Sequence, residues 1–190
     1  MHRNVITINL ALALLLVGGL GSAAAKQPNF IAPYAGTQVD GDIDTNGDGV
    51  PAGVVTGIGK SNLGRFVFQG AAEFLPQLAT NVHCPAGTLE FPLLQNINVF
   101  FFQATGEQLD FTYTPGGASC FDPKTLTATY HEQGTFSGGT GRFVHATGPF
   151  EDNGTSPLLV FDPKGHTFFS FTGTVTGTLT GVKDEEDDRD

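Results

Sequence analysis

The feature that most constrains the fold of this chain is a strict alternation near its C-terminus. From Phe169 to Thr180, odd positions hold Phe, Gly, Val or Leu, and every even position holds Ser or Thr. Successive side chains of a β-strand point to opposite faces, so this segment predicts a strand with one apolar and one solvated face. Such a pattern is typical of antiparallel sheets, because parallel sheets are buried on both faces.

The same alternation recurs in other segments separated by turn residues. Leu109, Phe111 and Tyr113 share one face of a predicted strand, and Phe66 and Phe68 share one face of another. We predict eight strands, near residues 53–60, 64–74, 87–91, 96–104, 107–114, 124–136, 143–151 and 166–181. With 26 Gly and 11 Pro among 190 residues, a mostly helical protein is excluded.

Eight long strands would leave exposed sheet edges unless the sheet closed on itself. Glycines on the apolar faces permit the coiling that closure requires. The sequence therefore predicts an all-β protein, a single eight-stranded antiparallel β-barrel. A sandwich of two sheets would produce the same pattern and stays open as the alternative.

Charge and composition exclude several classes of function. The net charge of −10 lacks the basic surface that nucleic-acid binding requires. No glycine-rich phosphate loop precedes a helix, so no organic cofactor is predicted. Seventeen Phe and only 15% charged residues are not typical of a disordered chain. Composition carries no signal for an oligomeric state.

The N-terminus has the layout of a secretory signal peptide covering residues 1–25. Arg3 precedes an apolar run from Leu10 to Val17, and Ala23 to Ala25 provides a cleavage site before Lys26. The run is shorter than the roughly 20 residues of a membrane-spanning helix, so no span is expected after processing. We expect a secreted or periplasmic protein with an N-terminal segment at 26–52, a barrel at 53–182 and a disordered acidic tail at 183–190.

Export also decides how the two cysteines are interpreted. Cys84 and Cys120 are the only cysteines of the chain. An oxidising compartment favours a disulfide between them, whereas little around either residue supports a reactive thiol.

Residues 134–148 carry a resemblance to a known group of proteins. The run G-G-T-G-R-F-x-x-A-x-G at 138–148 resembles a signature of the allene oxide cyclase and dirigent superfamily, including secreted bacterial members. Those members are similar to this chain also at Asp44–Gly49 and Cys84–Gly87. The resemblance implies an eight-stranded barrel with an apolar cavity. Plant members cyclise a fatty-acid-derived epoxide or orient radicals for coupling, but no catalytic residue of theirs can be assigned here.

An acidic loop at residues 44–50 is a candidate calcium site. Asp44, Asn46 and Asp48 occupy the first, third and fifth places of a calcium loop, Gly follows, and the Val50 carbonyl would be the next ligand. The twelfth place holds Val rather than a bidentate Glu, so Asp40 and Asp42 would supply the missing oxygens. The alternative is an acidic turn that binds no ion.

One charged residue breaks the alternation. Glu132 lies on the apolar side of its strand, two places after Tyr130, and Tyr113 faces the same interior. A buried carboxyl has a raised pKa, as general acids and bases do. We therefore consider Glu132 as an acid or base, with Tyr113 and Tyr130 as hydrogen-bonding partners of a ligand. The alternative places Glu132 near water at the barrel mouth.

Three functions follow from these observations. The first, which we favour, is a non-catalytic secreted module or a binder of a small apolar ligand. The second is an isomerase or cyclase acting on a lipid-like or phenolic substrate, as the resemblance implies. The third is a calcium-stabilised extracellular surface protein. The volume and lining of the barrel interior discriminate between them.

Overall fold

A computed structural model describes residues 29–44, 46–78, 80–161 and 166–183. The predicted signal peptide, residues 1–25, and residues 184–190 of the predicted tail lie outside the described residues. No helix among the described residues is long and apolar enough to cross a membrane. The described ranges contain nine strands: β1 Phe30–Ile43, β2 Ala52–Ser61, β3 Gly64–Phe74, β4 Leu89–Phe102, β5 Gln108–Tyr113, β6 Ala118–Asp122, β7 Thr127–Gly139, β8 Thr147–Phe161 and β9 Thr167–Gly177.

The nine strands form one closed antiparallel barrel. Their order around the barrel is β3-β2-β1-β9-β8-β7, and β4 returns to pair with β3. Between β7 and β4, β5 pairs with one half of each neighbour and β6 pairs with the other half. The barrel therefore has eight strand positions, one of which is shared by two short strands. This confirms the predicted eight-stranded barrel and excludes the sandwich.

Aromatic side chains fill one end of the barrel. The ring centroids of Phe66 and Phe100 lie 4.3 Å apart, and those of Phe102 and Phe143 lie 4.9 Å apart. Phe30 is completely buried beside them. Phe66 belongs to the face that the alternation assigned to the interior, whereas Phe30 lies in a strand that was not predicted. Phe143 lies in a 3-10 turn, Gly141–Phe143. Packing of this density closes the end of the barrel.

The G-G-T-G-R-F run forms the bend that carries Phe143 into this plug. Gly139 has a φ of 150° and packs against the backbone of Gln108 so closely that no side chain could be accommodated. Arg142 then pairs with Glu107 at 3.0 Å. The run is therefore a structural element that closes one end of the barrel.

The structure adds a strand that the sequence analysis omitted. β1 lies between β2 and β9, within the stretch 26–52 that was assigned to a segment ahead of the barrel. The start of the barrel is therefore corrected to Phe30. Its outward positions include Ile31 and Val39 while its inward positions include Gln38 and Asp40, so alternation does not separate an apolar from a polar face.

β4 differs from the prediction because of an irregularity in its pairing. Glu73 of β3 faces Gln95, but the next residue, Phe74, faces Leu93, so one residue of β4 is extra. The positions that line the cavity change from odd numbers, Leu89 and Phe91, to even numbers, Asn96 and Asn98, across this bulge. The change of parity is the reason that one strand was predicted as two, at 87–91 and 96–104. β6 was missed, and β8 begins and ends later than the predicted 143–151.

A disulfide attaches the long β3–β4 connection to the barrel. Cys84 and Cys120 are bonded, which confirms the predicted pair, with their Cα atoms 5.5 Å apart. Beneath the connection, the fully buried carboxylate of Glu90 accepts hydrogen bonds from the amides of Val82, His83 and Cys84. Burial acts to raise the pKa of Glu90, but these hydrogen bonds outweigh it and lower the pKa to about 2.

Removing the disulfide should destabilise the barrel. The bridge spans 36 positions of sequence, and closing such a loop in the unfolded chain is worth about 4 kcal/mol in the chain-entropy model. We expect the double variant Cys84→Ser and Cys120→Ser to lose a free energy of unfolding of that order in urea titrations. Adding reductant should destabilise the wild type but leave the double variant unchanged. Equal unfolding midpoints for the wild type and the double variant, both measured without reductant, would contradict the prediction.

Candidate functional site

The half of the barrel opposite the aromatic plug contains a cavity of about 370 Å³. This volume lies in the range of about 300–1,000 Å³ that is typical of small-molecule sites. The walls are mostly aromatic and aliphatic side chains. They include Phe68, Phe111, Phe121, Ala128, Phe169 and Phe171.

A network of tyrosines and a carboxyl group lies in the cavity wall. The Tyr34 hydroxyl donates to Asp152, 2.7 and 2.8 Å from its two oxygens, and the Tyr113 hydroxyl donates to Oδ2 at 2.6 Å. The Tyr130 hydroxyl lies 2.9 Å from that of Tyr34. Because the single hydroxyl hydrogen of Tyr34 is directed at Asp152, Tyr34 accepts in this contact, and the Tyr130 hydrogen has two acceptors, the Tyr34 hydroxyl oxygen and the Thr172 carbonyl oxygen at 3.3 Å. Strands β1, β5, β7 and β8 thus contribute one residue each to one network.

Two glycines make room for these tyrosines. Gly154 of β8 lies directly against the Tyr130 hydroxyl, so a Cβ atom there would overlap it. A Cβ atom at Gly173 of β9 would lie 2.6 Å from the Tyr34 hydroxyl and 2.7 Å from that of Tyr130. Because Tyr130, Gly154, Gly173 and Tyr34 are neighbours in successive strands, the two glycines let the tyrosine side chains lie over β8 and β9 along the inner wall and meet.

Glu132 places a second carboxyl group beside Asp152. The two residues are direct cross-strand partners on β7 and β8, and they are 4% and 2% exposed. The Glu132 carboxyl group also hydrogen-bonds to the side chain of Asn96. Its side chain packs next to Gly117, in the break between β5 and β6. Two buried carboxyl groups therefore share one wall of the cavity.

This environment raises the pKa of both carboxyl groups. Burial, and then the charge of Asp152, raise the pKa of Glu132 to about 8. Burial also raises the pKa of Asp152, but hydrogen bonds from Tyr113 and Tyr34 restrain the rise to about 6. Near neutral pH the pair thus shares one proton and one negative charge, and the phenol groups that donate to Asp152 favour the charge there.

The tyrosines of the network remain hydrogen-bond donors at neutral pH. Burial and the neighbouring Asp152 carboxylate raise the pKa of Tyr34, Tyr113 and Tyr130 above the usual range. The cavity consequently presents phenol groups, one carboxylic acid and one carboxylate within an apolar enclosure. These phenol and carboxyl groups can hydrogen-bond to a polar part of a ligand, and the carboxyl groups can exchange protons with it.

The residues singled out from the sequence meet in this cavity. Tyr113, Tyr130 and Glu132 all line it, and none of them is an exposed surface residue. The sequence analysis missed Tyr34 and Asp152. Asp152 follows Phe150 at an interval of two, so extending β8 past residue 151 would have placed it inside. Tyr34 carried no such signal, because β1 was not recognised.

The predicted calcium residues form a loop that satisfies its own amides. Asp44 accepts hydrogen bonds from the amides of Gly47 at 2.6 Å and Gly49 at 2.9 Å, which lower its pKa. The Asn46 side-chain amide donates to Asp48 at 3.1 Å and to the buried Glu73 at 3.0 Å. The hydrogen bond to Glu73 therefore attaches the loop to β3.

The other residues proposed as calcium ligands do not complete a site among the described side chains. Val50 donates its amide to Asp48 at 2.8 Å. Asp40 accepts hydrogen bonds from Gln38 and Thr167 in the cavity wall. Thr45 and the side chain of Asp42 lie outside the described residues. No three His, Cys, Asp or Glu residues within the described ranges are grouped to hold a metal ion. Calcium binding by residues 40–50 stays a prediction.

Comparisons with known proteins do not assign this chain to a family. No known family's sequence profile matches the chain, and no curated protein matches it. The resemblance of residues 138–148 to the allene oxide cyclase and dirigent superfamily therefore stays a prediction.

The carboxyl pair should make stability depend on pH in an unusual direction. Both pKa values are raised by folding, so the folded protein retains protons that the unfolded chain releases above about pH 4.5. The free energy of unfolding should fall as pH rises from about 4.5 to 8, by at most about 1.4 kcal/mol per pH unit for each group. Urea unfolding at pH 5, 6.5 and 8 measures this slope.

The variant Glu132→Gln should flatten the slope and be more stable than the wild type at pH 8. Glu151→Gln is the matched control, because Glu151 is exposed on the outer face next to Asp152. It makes the same change of side chain without entering the cavity. A Glu132→Gln slope equal to that of the wild type would contradict the assigned pKa.

Proposed function

We propose that this protein is an exported carrier or sensor module that binds a small, largely apolar molecule inside its barrel. The observation that carries the proposal is the cavity of about 370 Å³, apolar over most of its wall, with polar groups converging at Glu132 and Asp152. Burying apolar surface supplies affinity, and a few fixed polar groups supply orientation.

Two further features support this proposal. The packed phenylalanines at the other end make the cavity a blind pocket rather than a channel, so a ligand enters and leaves by the same mouth. The Cys84–Cys120 disulfide suits an oxidising compartment, as does the signal-peptide pattern of residues 1–25. A protein outside the cytoplasm would meet its ligand in solution or at a cell surface.

Fluorescence of a neutral apolar dye tests the proposal. N-phenyl-1-naphthylamine emits strongly only when it is removed from water. We expect a saturable increase with the purified mature protein and a stoichiometry of one dye per chain. Absence of a saturable signal, with the protein shown to be folded by circular dichroism, would contradict the proposal.

A filled cavity should abolish the signal. Ser119 lines the cavity on β6, so Ser119→Phe would place a ring inside it. Thr135 is exposed on the outer face of β7, so Thr135→Phe adds the same ring outside. We expect at least about a tenfold weaker dye affinity for Ser119→Phe and little change for Thr135→Phe. Equal affinities would place the dye outside the barrel.

A second candidate function is isomerisation of the bound molecule. The observation that favours it is the pair of carboxyl groups whose pKa values are separated, since one can donate a proton while the other accepts one. Such a reaction would change no overall composition. Incubation with unsaturated epoxides or phenols should yield a product of identical mass and altered chromatographic retention. The product should disappear with Glu132→Gln and persist with Glu151→Gln.

A further inference from the structure

The charged groups of the cavity are all of one sign. Asp40, Glu132 and Asp152 line it, and none of the described lining residues is Lys, Arg or His. Neither Glu132 nor Asp152 takes part in an ion pair among the described residues. The buried charge of this pair is thus offset by hydrogen bonds alone.

These hydrogen bonds offset the charge of Asp152 better than they offset that of Glu132. Asp152 accepts from two phenol groups, at 2.6 to 2.8 Å. Glu132, which is 4% exposed, has the amide of Asn96 as its side-chain partner and faces the Asp152 carboxylate across the β7–β8 ladder. A second negative charge at this place is costly unless a cation accompanies it.

Resting on the proposed binding function, we propose that the bound molecule is a hydrophobic amine, held in its ammonium form with the nitrogen at Glu132 and Asp152. The cavity supplies both parts that such a ligand needs. Its aromatic walls enclose an alkyl or aryl body, and its carboxyl pair supplies the negative charge that a buried ammonium group requires.

An ammonium group also matches the number and type of polar groups present. It has up to three N–H donors and no acceptor, whereas carboxylate oxygens only accept. The Tyr130 hydroxyl is a further acceptor in the same cavity. Phe68, Phe111 and Phe171 line the same cavity, and aromatic rings attract cations most strongly where water is excluded.

The same charges discriminate against anionic ligands. A carboxylate placed near Asp152 would meet like charge in an enclosure without a described basic side chain. A fatty acid could therefore bind only with its carboxylate at the mouth, in water. The cavity thus selects ligands by charge as well as by size. The negative charge of the carboxyl pair attracts a cationic ligand and repels an anionic one.

Binding of the cation should release a proton. The titratable groups that share the cavity with Glu132 are Asp152 on β8, Tyr34 and Asp40 on β1, Tyr113 on β5 and Tyr130 on β7. An ammonium ion beside Glu132 favours its ionised form, so amine affinity should rise as pH increases towards 8. An alkylamine resembles lysine, with a pKa of about 10.4, and stays cationic over this range.

Three ligands with the same eight-carbon chain test the proposal in competition with N-phenyl-1-naphthylamine. At pH 8, octylamine should displace the dye at about tenfold lower concentration than octanol, and octanoate should be weaker than octanol. Between pH 6 and pH 8 the affinity for octylamine should rise at least about fivefold. The affinity for octanol should change little, because octanol carries no charge.

Variants assign the preference to the carboxyl pair. Glu132→Gln should weaken octylamine about tenfold at pH 8 and remove most of its pH dependence, while octanol changes less than about threefold. Adding Asp152→Asn should bring octylamine and octanol to equal affinity. Glu151→Gln, on the outer face, should behave as the wild type. If the double variant does not fold, the single variant and the wild-type pH series still decide.

Failures of the two proposals are distinguishable. Equal binding of octylamine and octanol by the wild type overturns the amine proposal and leaves the binding function standing. A preference for octanoate, or an amine preference that Glu132→Gln does not reduce, also overturns it. If neither the dye nor any of the three ligands binds to folded protein, the proposed binding function itself is wrong.

Discussion

Closure of the sheet is the constraint on which the other features of this protein depend. When β4 pairs with β3, every strand has two neighbours, so the backbone donors and acceptors of the sheet are satisfied without an edge. Closure also encloses a volume that inward side chains must either fill or leave as a cavity. In this barrel both happen, because phenylalanines such as Phe30 and Phe102 fill one end while the other end stays open.

The interior is divided by pairing large side chains with glycines. Tyr34 and Tyr130 meet along the inner wall because β8 and β9, the strands between them, carry Gly154 and Gly173 where the two rings lie. The hydroxyl groups of Tyr34 and Tyr113 then stabilise Asp152, which would otherwise be a costly buried charge, and Tyr130 bonds to the Tyr34 hydroxyl. The tyrosine network thus lets the barrel keep a carboxylate inside, and this carboxylate in turn raises the pKa of Glu132. The tyrosine network that stabilises the buried Asp152 thus also contributes to the raised pKa that makes Glu132 a candidate acid or base.

Irregularities in the strands position this chemistry. The break between β5 and β6 brings Gly117 next to Glu132, which leaves space for its side chain. The bulge in β4 reverses the parity of that strand, so that Asn96 and Asn98 point inward at the level of the carboxyl pair. A perfectly regular strand would have turned them to the solvent. Bulges of this kind commonly re-aim side chains next to functional sites.

Alternation along the chain predicted antiparallel strands and placed Tyr113, Tyr130 and Glu132 on inward faces, while the choice of a barrel over a sandwich also needed the glycines and the cost of exposed edges. The assignment of faces succeeds because a strand's side-chain period of two is a local property of the backbone. Alternation failed for β1, whose outward positions are as apolar as its inward ones, and for β4, where one extra residue changes the parity. Alternation along single strands did not predict that Tyr34, Glu132 and Asp152 lie close together. Their proximity depends on which strands become neighbours and in what register, and those are decided by long-range pairing when the barrel closes.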